Sequence, residues 1–272
     1  MVKLLKVVMS TNFLLGAIAC IGLLLSQDTL REMIYMRAWI CQQFSTTTCW
    51  TSGYLLSLLE FPVVCSIVTI PFIMVYYEVI DIVHVNYLNE LVKQICSSHL
   101  PEKQLYHSEI FQRKVAQKMK ICIMIHNILI QLSSDGTIMI YVPTVLICIG
   151  SIVMGSSMLL FILSYDFNQL NYFVIGIFSG TVNYFICVWL YIHFSQLLKN
   201  ESENTYFLLT QLPWYYMNKG NLKTFSIILR QSERPISCAI DLFEVNYLLL
   251  VRIFKALYSV AAIIVRFQPH LQ

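Results

Sequence analysis

The stretch that decides the fold is TIMIYVPTVLICIGSIVMGSSMLLFILS, residues 137–164, which contains no charged side chain. A second uncharged stretch, residues 167–198, follows directly after Asp166 and begins with a polar turn. A helix needs about 20 predominantly apolar residues to cross the hydrocarbon core of a bilayer. Each stretch exceeds that length, so together they predict two consecutive transmembrane helices.

The composition of the whole chain supports a membrane protein. Of its 272 residues 57% are hydrophobic and 12% are charged, and the mean hydropathy is +0.67. Soluble domains carry about 25% charged residues, and a soluble fold of this size cannot hide so much apolar surface. The net charge of +3 is small and the basic residues form no long run, which argues against a nucleic-acid partner.

Three further apolar runs predict membrane spans: Val7–Leu25, Tyr54–Val79 and Leu242–Phe267. All five runs are too long for strands and lack alternating polarity. We therefore expect an all-α polytopic membrane protein with five transmembrane helices. The first run also fits an alternative, a signal peptide cleaved after Ala17-Ile18-Ala19.

The distribution of basic residues predicts the orientation. The N-terminus and the connections 80–136 and 199–241 hold 13 of the 18 lysines and arginines. Cytoplasmic loops carry this excess, so we expect a cytoplasmic N-terminus and an extracellular C-terminus. The expected divisions are two helices with an extracellular loop (1–79), a cytoplasmic amphipathic connection (80–136), a transmembrane hairpin (137–198), a cytoplasmic anchor segment (199–241) and a final pore-type helix with its tail (242–272).

Both cytoplasmic connections contain apolar residues at helical spacing among polar ones. Each therefore predicts an amphipathic helix whose apolar stripe needs a partner. The stripes are Leu88, Leu91, Val92 and Ile95 in the first connection, and Leu222, Phe225, Ile228 and Leu229 in the second.

Most of the nine cysteines fall inside apolar stretches, where a thiol behaves as a small hydrophobe. Cys41 and Cys49 differ because they lie outside the apolar runs, in the predicted extracellular loop. An oxidising environment permits a disulfide between them, and two free thiols are the equal alternative. No cysteine–histidine spacing suggests zinc, so we expect no metal site.

The chain contains no HExxH, GxSxG, Walker or GxGxxG pattern, so we expect neither an enzyme nor a bound cofactor. Two residues remain candidates for a role inside the protein. Glu60 interrupts an apolar span, where a carboxylate is costly, although its place near the outer end also fits a side chain that reaches the interface. His126 is interpreted as a packing residue rather than a ligand.

The last span is unusual because Arg252 and Lys255 lie three residues apart on one helical face. Burying each cation in lipid would cost at least about 2.5 kcal/mol. We therefore expect the lower half of this helix to lie in a cytoplasmic layer, leaving only Ala256–Phe267 at membrane depth. Those residues cover about 18 Å, which favours a helix that lines a pore or is surrounded by protein. An ordinary buried helix is the alternative.

Three motifs near the C-terminus carry a family resemblance: LPWYYM at Leu212–Met217, RQSERPI at Arg230–Ile236 and FKALYS at Phe254–Ser259. They resemble the C-terminal signature of insect odorant receptors, in which a Trp-Tyr pair is followed by a basic helix, a turn with proline and a final helix with an aromatic-Ser pair. The resemblance is specific from about Met119 onward and looser before it.

This resemblance implies a seven-helix subunit of a tetrameric odorant-gated cation channel, assembled with a shared co-receptor subunit in the plasma membrane of olfactory neurons. The five predicted spans would correspond to the third to seventh helices of that fold, without the first two. The implied function is that of the ligand-tuning subunit, which binds a volatile organic molecule in an apolar intramembrane pocket.

Site residues follow from the resemblance. The implied pore-lining residues are Ile263, Arg266 and Phe267, and an arginine there would disfavour cations in a homomer. The implied pocket residues, at the outer ends of two spans, are Tyr54, Leu58, Phe173 and Ile177. The implied cytoplasmic anchor contains Trp214, Tyr215, Arg234 and Pro235 as packing residues.

Other functions remain open from the sequence. A fragment similar to a G-protein-coupled receptor requires the reverse orientation, so a glycan at the sequon Asn200-Glu201-Ser202 would favour it. A fragment of a gustatory receptor, a transporter or enzyme that depends on Glu60 or His126, and a non-signalling membrane protein are further alternatives.

Overall fold

The computed structural model describes residues 46–97, 106–164, 172–237, 239–240 and 243–267. These residues are almost entirely helical, as the long apolar runs predict. The elements, in chain order, are α1 (Thr46–Gln94), α2 (Glu109–Ser164), α3 (Tyr172–Thr210), a 3-10 turn (Trp214–Tyr216), α4 (Lys219–Ser232), β1 (Ala239–Ile240), β2 (Phe243–Glu244) and α5 (Tyr247–Phe267).

The first three helices are much longer than a bilayer is thick. They contain 49, 56 and 39 residues, which correspond to about 74, 84 and 58 Å at 1.5 Å per residue. The hydrocarbon core is about 30 Å thick. The predicted amphipathic connection is therefore not a separate helix. Its residues continue α1 to Gln94 and form the first half of α2, and neither of these two stretches contains a proline.

Among the described residues, two segments are long and apolar enough to cross a membrane: Tyr141–Ile162 in α2 and Val174–Thr210 in α3. Little of the first segment is buried within the chain, whereas half of the second is. The two spans are assigned from helix length and apolar composition, and a buried core helix of a soluble protein has the same two properties. The side chains of the first half of α1 lie outside the described part of the chain.

The chain divides into two compact units. Unit 1 contains the described residues within 46–73, 146–190 and 252–267, and unit 2 contains those within 74–145 and 191–251. In unit 2 the predicted apolar stripes are buried, as expected for amphipathic helices that share a core. Leu88 and Val92 of α1 are buried, as is Ile95 directly after the helix, and Leu91 is half-buried, while Glu90 and Lys93 are exposed.

The second predicted amphipathic helix is also confirmed. Phe225 and Ile228 of α4 are buried, whereas Lys223 and Arg230 are exposed. The helix begins after Asn218, whose side chain accepts a hydrogen bond from the Asn221 N–H at 2.8 Å. This N-cap satisfies a backbone donor that the first turn would otherwise leave without a partner.

In unit 1, α2 and α3 are joined by hydroxyl groups and small residues. The Tyr184 hydroxyl donates to the Ile147 carbonyl at 2.8 Å and lies 3.4 Å from the Ser151 hydroxyl. Ser151 also donates to the Ile147 carbonyl, at 2.7 Å. These bonds satisfy buried hydroxyls between two apolar helices, so their role is to hold the hairpin together.

The last helix begins later than the sequence predicts. Residues 242–246 were expected to be helical, but Phe243–Glu244 pairs with Ala239–Ile240 in a short antiparallel ladder. Asn246 then caps α5, since its side-chain oxygen accepts hydrogen bonds from the N–H groups of Leu248 and Leu249 at 2.9 and 3.3 Å. The strand pairing and the cap together set the start of α5 at Tyr247.

Candidate functional site

The final helix α5 has one covered face and one open face. Leu249 and Ile253 are buried on the covered face, and Leu257 is half-buried there. The open face contains residues spaced three or four apart, as one face of a helix requires. The exposed residues of α5 are Tyr247, Leu248, Val251, Arg252, Phe254, Lys255, Tyr258, Ser259, Ala262, Ile263 and Arg266.

All the cations of α5 lie on its open face. Arg252, Lys255 and Arg266 are exposed, and within the described residues none of them forms an ion pair with a carboxylate. A charged side chain that faces hydrocarbon is costly at membrane depth. The open face of α5 therefore suits water or another polypeptide better than lipid.

The predicted pore residues are partly described. Ile263 and Arg266 both lie on the open face of α5 and are exposed. Phe267 ends the helix, and its side chain lies outside the described part of the chain. The structure thus brings two of the three candidates to the same face, one turn apart.

The predicted pocket and disulfide fall mostly outside the described residues. Tyr54 and Leu58 lie within α1 and Phe173 within α3, but their side chains lie outside the described part. Ile177 is half-buried in α3. Cys41 also falls outside, and Cys49 lies within α1 with its side chain outside the described part, so the proposed bond stays a prediction.

The aromatic pair of the predicted anchor lies at the surface of the chain. Trp214 is 50% exposed and Tyr215 is 61% exposed, and the 3-10 turn that contains them buries no residue. Arg234 is exposed and Pro235 is half-buried. Because Trp214 and Tyr215 are largely exposed within a single chain, a packing role for these two side chains would need a second polypeptide.

The turn that carries Trp214 and Tyr215 is held by a buried amide of α2. Gln112 donates from Nε2 to the Tyr216 carbonyl at 2.8 Å and accepts at Oε1 from the Asn218 N–H at 3.0 Å. The same Oε1 accepts from Asn221 Nδ2 at 2.8 Å, and Asn221 Nδ2 also lies 2.9 Å from the Gln112 carbonyl. Gln112 is 7% exposed, so water does not compete for these bonds.

A second buried amide connects α1 with α3. Asn89 is only 3% exposed. It accepts a hydrogen bond from the Thr205 hydroxyl at 2.6 Å and donates to the Glu201 carbonyl at 3.2 Å. Asn89 is a polar residue next to the predicted apolar stripe, and α3 covers its position. No periodic signal distinguishes a buried asparagine from an exposed one.

The start of α5 is fixed to α3 by two polar contacts. Lys199 Nζ lies 3.0 Å from the Glu244 carboxylate, just before the helix. Six residues earlier on α3, the His193 Nδ1 lies 2.7 Å from the hydroxyl of Tyr247, the first residue of α5. These contacts hold the base of the final helix within unit 2.

His126, interpreted from the sequence as a packing residue, is buried. It is 2% exposed on α2, and its Nδ1 has no hydrogen-bond partner among the described residues. Burial lowers the pKa of this imidazole, because the charged form loses its hydration.

The described cysteines of unit 2 are not suited to act as nucleophiles. Burial raises the pKa of the Cys96 and Cys122 thiols to about 11, and the Lys118 ammonium opposes this only in part. A thiol with such a pKa is protonated near neutrality and is a poor nucleophile. Among the described residues, no group of three His, Cys, Asp or Glu side chains could hold a metal ion.

No protein-family model matches the chain, and no curated protein matches it either. The functional assignment therefore depends on the chain's own residues and on the sequence resemblance.

We expect the substitution Gln112→Leu to lower the thermal unfolding midpoint of the detergent-solubilised protein by more than about 5 °C. The leucine leaves the Tyr216 carbonyl and the Asn218 N–H without their partner, and each unsatisfied buried group costs about 1–3 kcal/mol. Fluorescence-detected size-exclusion chromatography after heating measures the midpoint. The neighbouring Arg113→Leu is the control, because Arg113 is exposed. Equal midpoints for the two variants would contradict a role of Gln112 in stability.

We also expect stability to depend on His126 below pH 6.5. The folded state has the lower pKa, so between the folded value and the unfolded value of 6.5 the unfolded chain binds a proton that the folded chain does not. The free energy of unfolding therefore falls as the pH falls through this window. Thermal midpoints at pH 7.5 and 5.5 should differ less for His126→Phe than for the wild type. An unchanged difference would show that another group causes the pH dependence.

Proposed function

We propose that this chain is a ligand-binding subunit of an odorant-gated cation channel of the insect odorant receptor type. The observation that carries the proposal is the open face of α5, which combines three cations with Ser259 and Ala262 on a helix that is otherwise apolar. A water-lined path between subunits is the membrane environment in which such a face is stable. The motifs LPWYYM, RQSERPI and FKALYS supply the family resemblance.

The proposal includes five membrane-spanning helices with a cytoplasmic N-terminus and an extracellular C-terminus. The excess of basic residues in the connections 80–136 and 199–241 supports this orientation. Within unit 2, buried amides and ion pairs hold these connections together as a polar, helical layer. Such a layer suits the cytoplasmic side of a plasma-membrane channel.

Recognition of the ligand would depend on burial of apolar surface. The proposed pocket residues Tyr54, Leu58, Phe173 and Ile177 provide aromatic and aliphatic walls with one hydroxyl. Such walls suit a volatile organic molecule, since buried area supplies most of the affinity. The proposed partner is the family's co-receptor subunit, because Arg266 in every subunit of a homomer would place a ring of positive charge in the cation path.

We expect cells that express this chain together with the co-receptor to pass a ligand-gated cation current. We also expect the substitution Arg266→Ala to increase the Na⁺/Cl⁻ permeability ratio of that current. Removal of a cation from the pore wall should raise the ratio by about fivefold, which corresponds to a change of about 1 kcal/mol in the barrier. Reversal potentials are measured by voltage clamp, with a panel of aliphatic alcohols, aldehydes and acetate esters as probes.

Arg113→Ala is the matched control, since Arg113 is an exposed arginine of α2 in unit 2 and not on the final helix. Its permeability ratio should equal that of the wild type. Surface-expressed protein that gives no current with any probe would overturn the proposed function. A normal current with an unchanged ratio in Arg266→Ala would overturn only the position of Arg266 in the pore.

We expect a glycosylation sequon appended after Gln272 to be used, and the native sequon at Asn200 to stay unmodified. The appended site would lie outside the cell, whereas Asn200 would lie in the cytoplasm, where no glycan is added. The mobility of each protein before and after glycosidase treatment reports the outcome. A glycan at Asn200 with none at the C-terminus would reverse the orientation and favour a receptor similar to those coupled to G proteins.

A further inference from the structure

A glycine of α2 and a leucine of α5 lie close together in unit 1. The methyl groups of Leu257 lie directly against the backbone of Gly155. A Cβ atom at position 155 would overlap Leu257 Cδ2 and would lie 3.1 Å from Cδ1 and 3.4 Å from Cγ. Glycine is therefore the residue that leaves room for Leu257 at its present position.

Space, and not backbone conformation, explains this glycine. Gly155 lies within the helix Glu109–Ser164, and no described glycine has a positive φ. Glycine is a poor helix former, so nothing in the local conformation favours it over alanine. Gly155 is also buried, which leaves the approach of Leu257 as the physical reason for a residue without a side chain.

The contact lies on the covered face of α5, opposite the open face. Leu257 precedes Ile263 by six residues and Arg266 by nine, or about 9 and 14 Å along the helix axis. A helix moves as a rigid rod over such distances. A larger side chain at position 155 would overlap the Leu257 methyl groups, so either the Leu257 side chain or the helix segment that carries it would have to move. Movement of that segment would also move Arg266, since interaxial distance depends on the side chains at the contact.

We propose that the contact between Gly155 and Leu257 sets the position of the final helix in the closed channel. It thereby sets the ligand concentration that opens the channel. This inference depends on the proposed channel function. Gly155 is a positioning residue, because it acts on the conduction path only through Leu257. A second glycine of α2 is also crowded, but by a different helix: a Cβ at Gly150 would lie 2.8 Å from the hydroxyl of Tyr184 in α3.

The first experiment tests the contact without any channel activity. The double variant Gly155→Cys/Leu257→Cys is expressed in cells with a protease site inserted after the exposed Arg234, between the two cysteines. Mild oxidation should join the two fragments after cleavage, and a reductant should separate them. The control pair Ser157→Cys/Leu257→Cys should remain separable, since Ser157 is exposed. Failure of the first pair to cross-link, or equal cross-linking of both pairs, would overturn the contact.

The second experiment measures gating in complexes with the co-receptor. Gly155→Leu should shift the half-maximal concentration of the most active ester or alcohol, or the ligand-independent current, by at least about fivefold, the low end of typical coupling between sites. Adding Leu257→Ala to Gly155→Leu should return both quantities to within about twofold of the Leu257→Ala single variant, because the smaller residue restores the space. Ser157→Leu, which adds the same side chain on the exposed side, should change neither quantity. Surface labelling checks that every variant reaches the membrane.

The outcomes separate the two proposals. Cross-linking together with ligand-gated current and an unchanged response in Gly155→Leu would overturn the positioning role while leaving the channel function intact. Cross-linking without any current from wild-type complexes would overturn the channel function, and with it the gating role, while confirming the contact. A shift in Gly155→Leu that Leu257→Ala does not correct would show that the substitution acts through a different neighbour.

Discussion

The need to keep three cations out of hydrocarbon constrains the surroundings of the final helix more than any other interaction. Arg252, Lys255 and Arg266 lie on one face of α5, and the other face is covered by protein. A helix with this division cannot stand alone in lipid, because each buried cation would cost several kcal/mol. This face is therefore better suited to water or another polypeptide than to lipid.

The polar bonds of unit 2 serve a different purpose from the apolar packing around them. Apolar stripes bring the helices together with little specificity, whereas the amides of Asn89 and Gln112 bond to particular partners. A buried amide that loses its partner costs more than a displaced methyl group. These two side chains therefore select one register for the helices among the many that burial alone would allow, and they hold the turn with Trp214 and Tyr215 at the surface.

The helical fold class and the amphipathic stripes could be predicted because both leave a periodic pattern in the sequence. Phe225 and Ile228 recur at helical spacing, and both are buried. The burial of Asn89 and Gln112 could not be predicted, since a polar residue type indicates exposure unless its partners are known. The late start of α5 was missed for a related reason: the pairing of Phe243–Glu244 with an earlier segment is a tertiary contact. The role of Gly155 was equally hidden, because it depends on Leu257, about 100 residues away.

The buried amide at Gln112 also has a consequence for synthesis of the protein. Its partner Asn221 follows 109 residues later in the chain. At about 5–20 residues per second, a ribosome needs roughly 5–20 s to produce the missing partner. During that interval the start of α2 exists without the turn that completes it, and its apolar side chains lack their cover. The newly made chain thus passes through a period in which a chaperone could hold this surface, and in which quality control could distinguish finished from unfinished molecules.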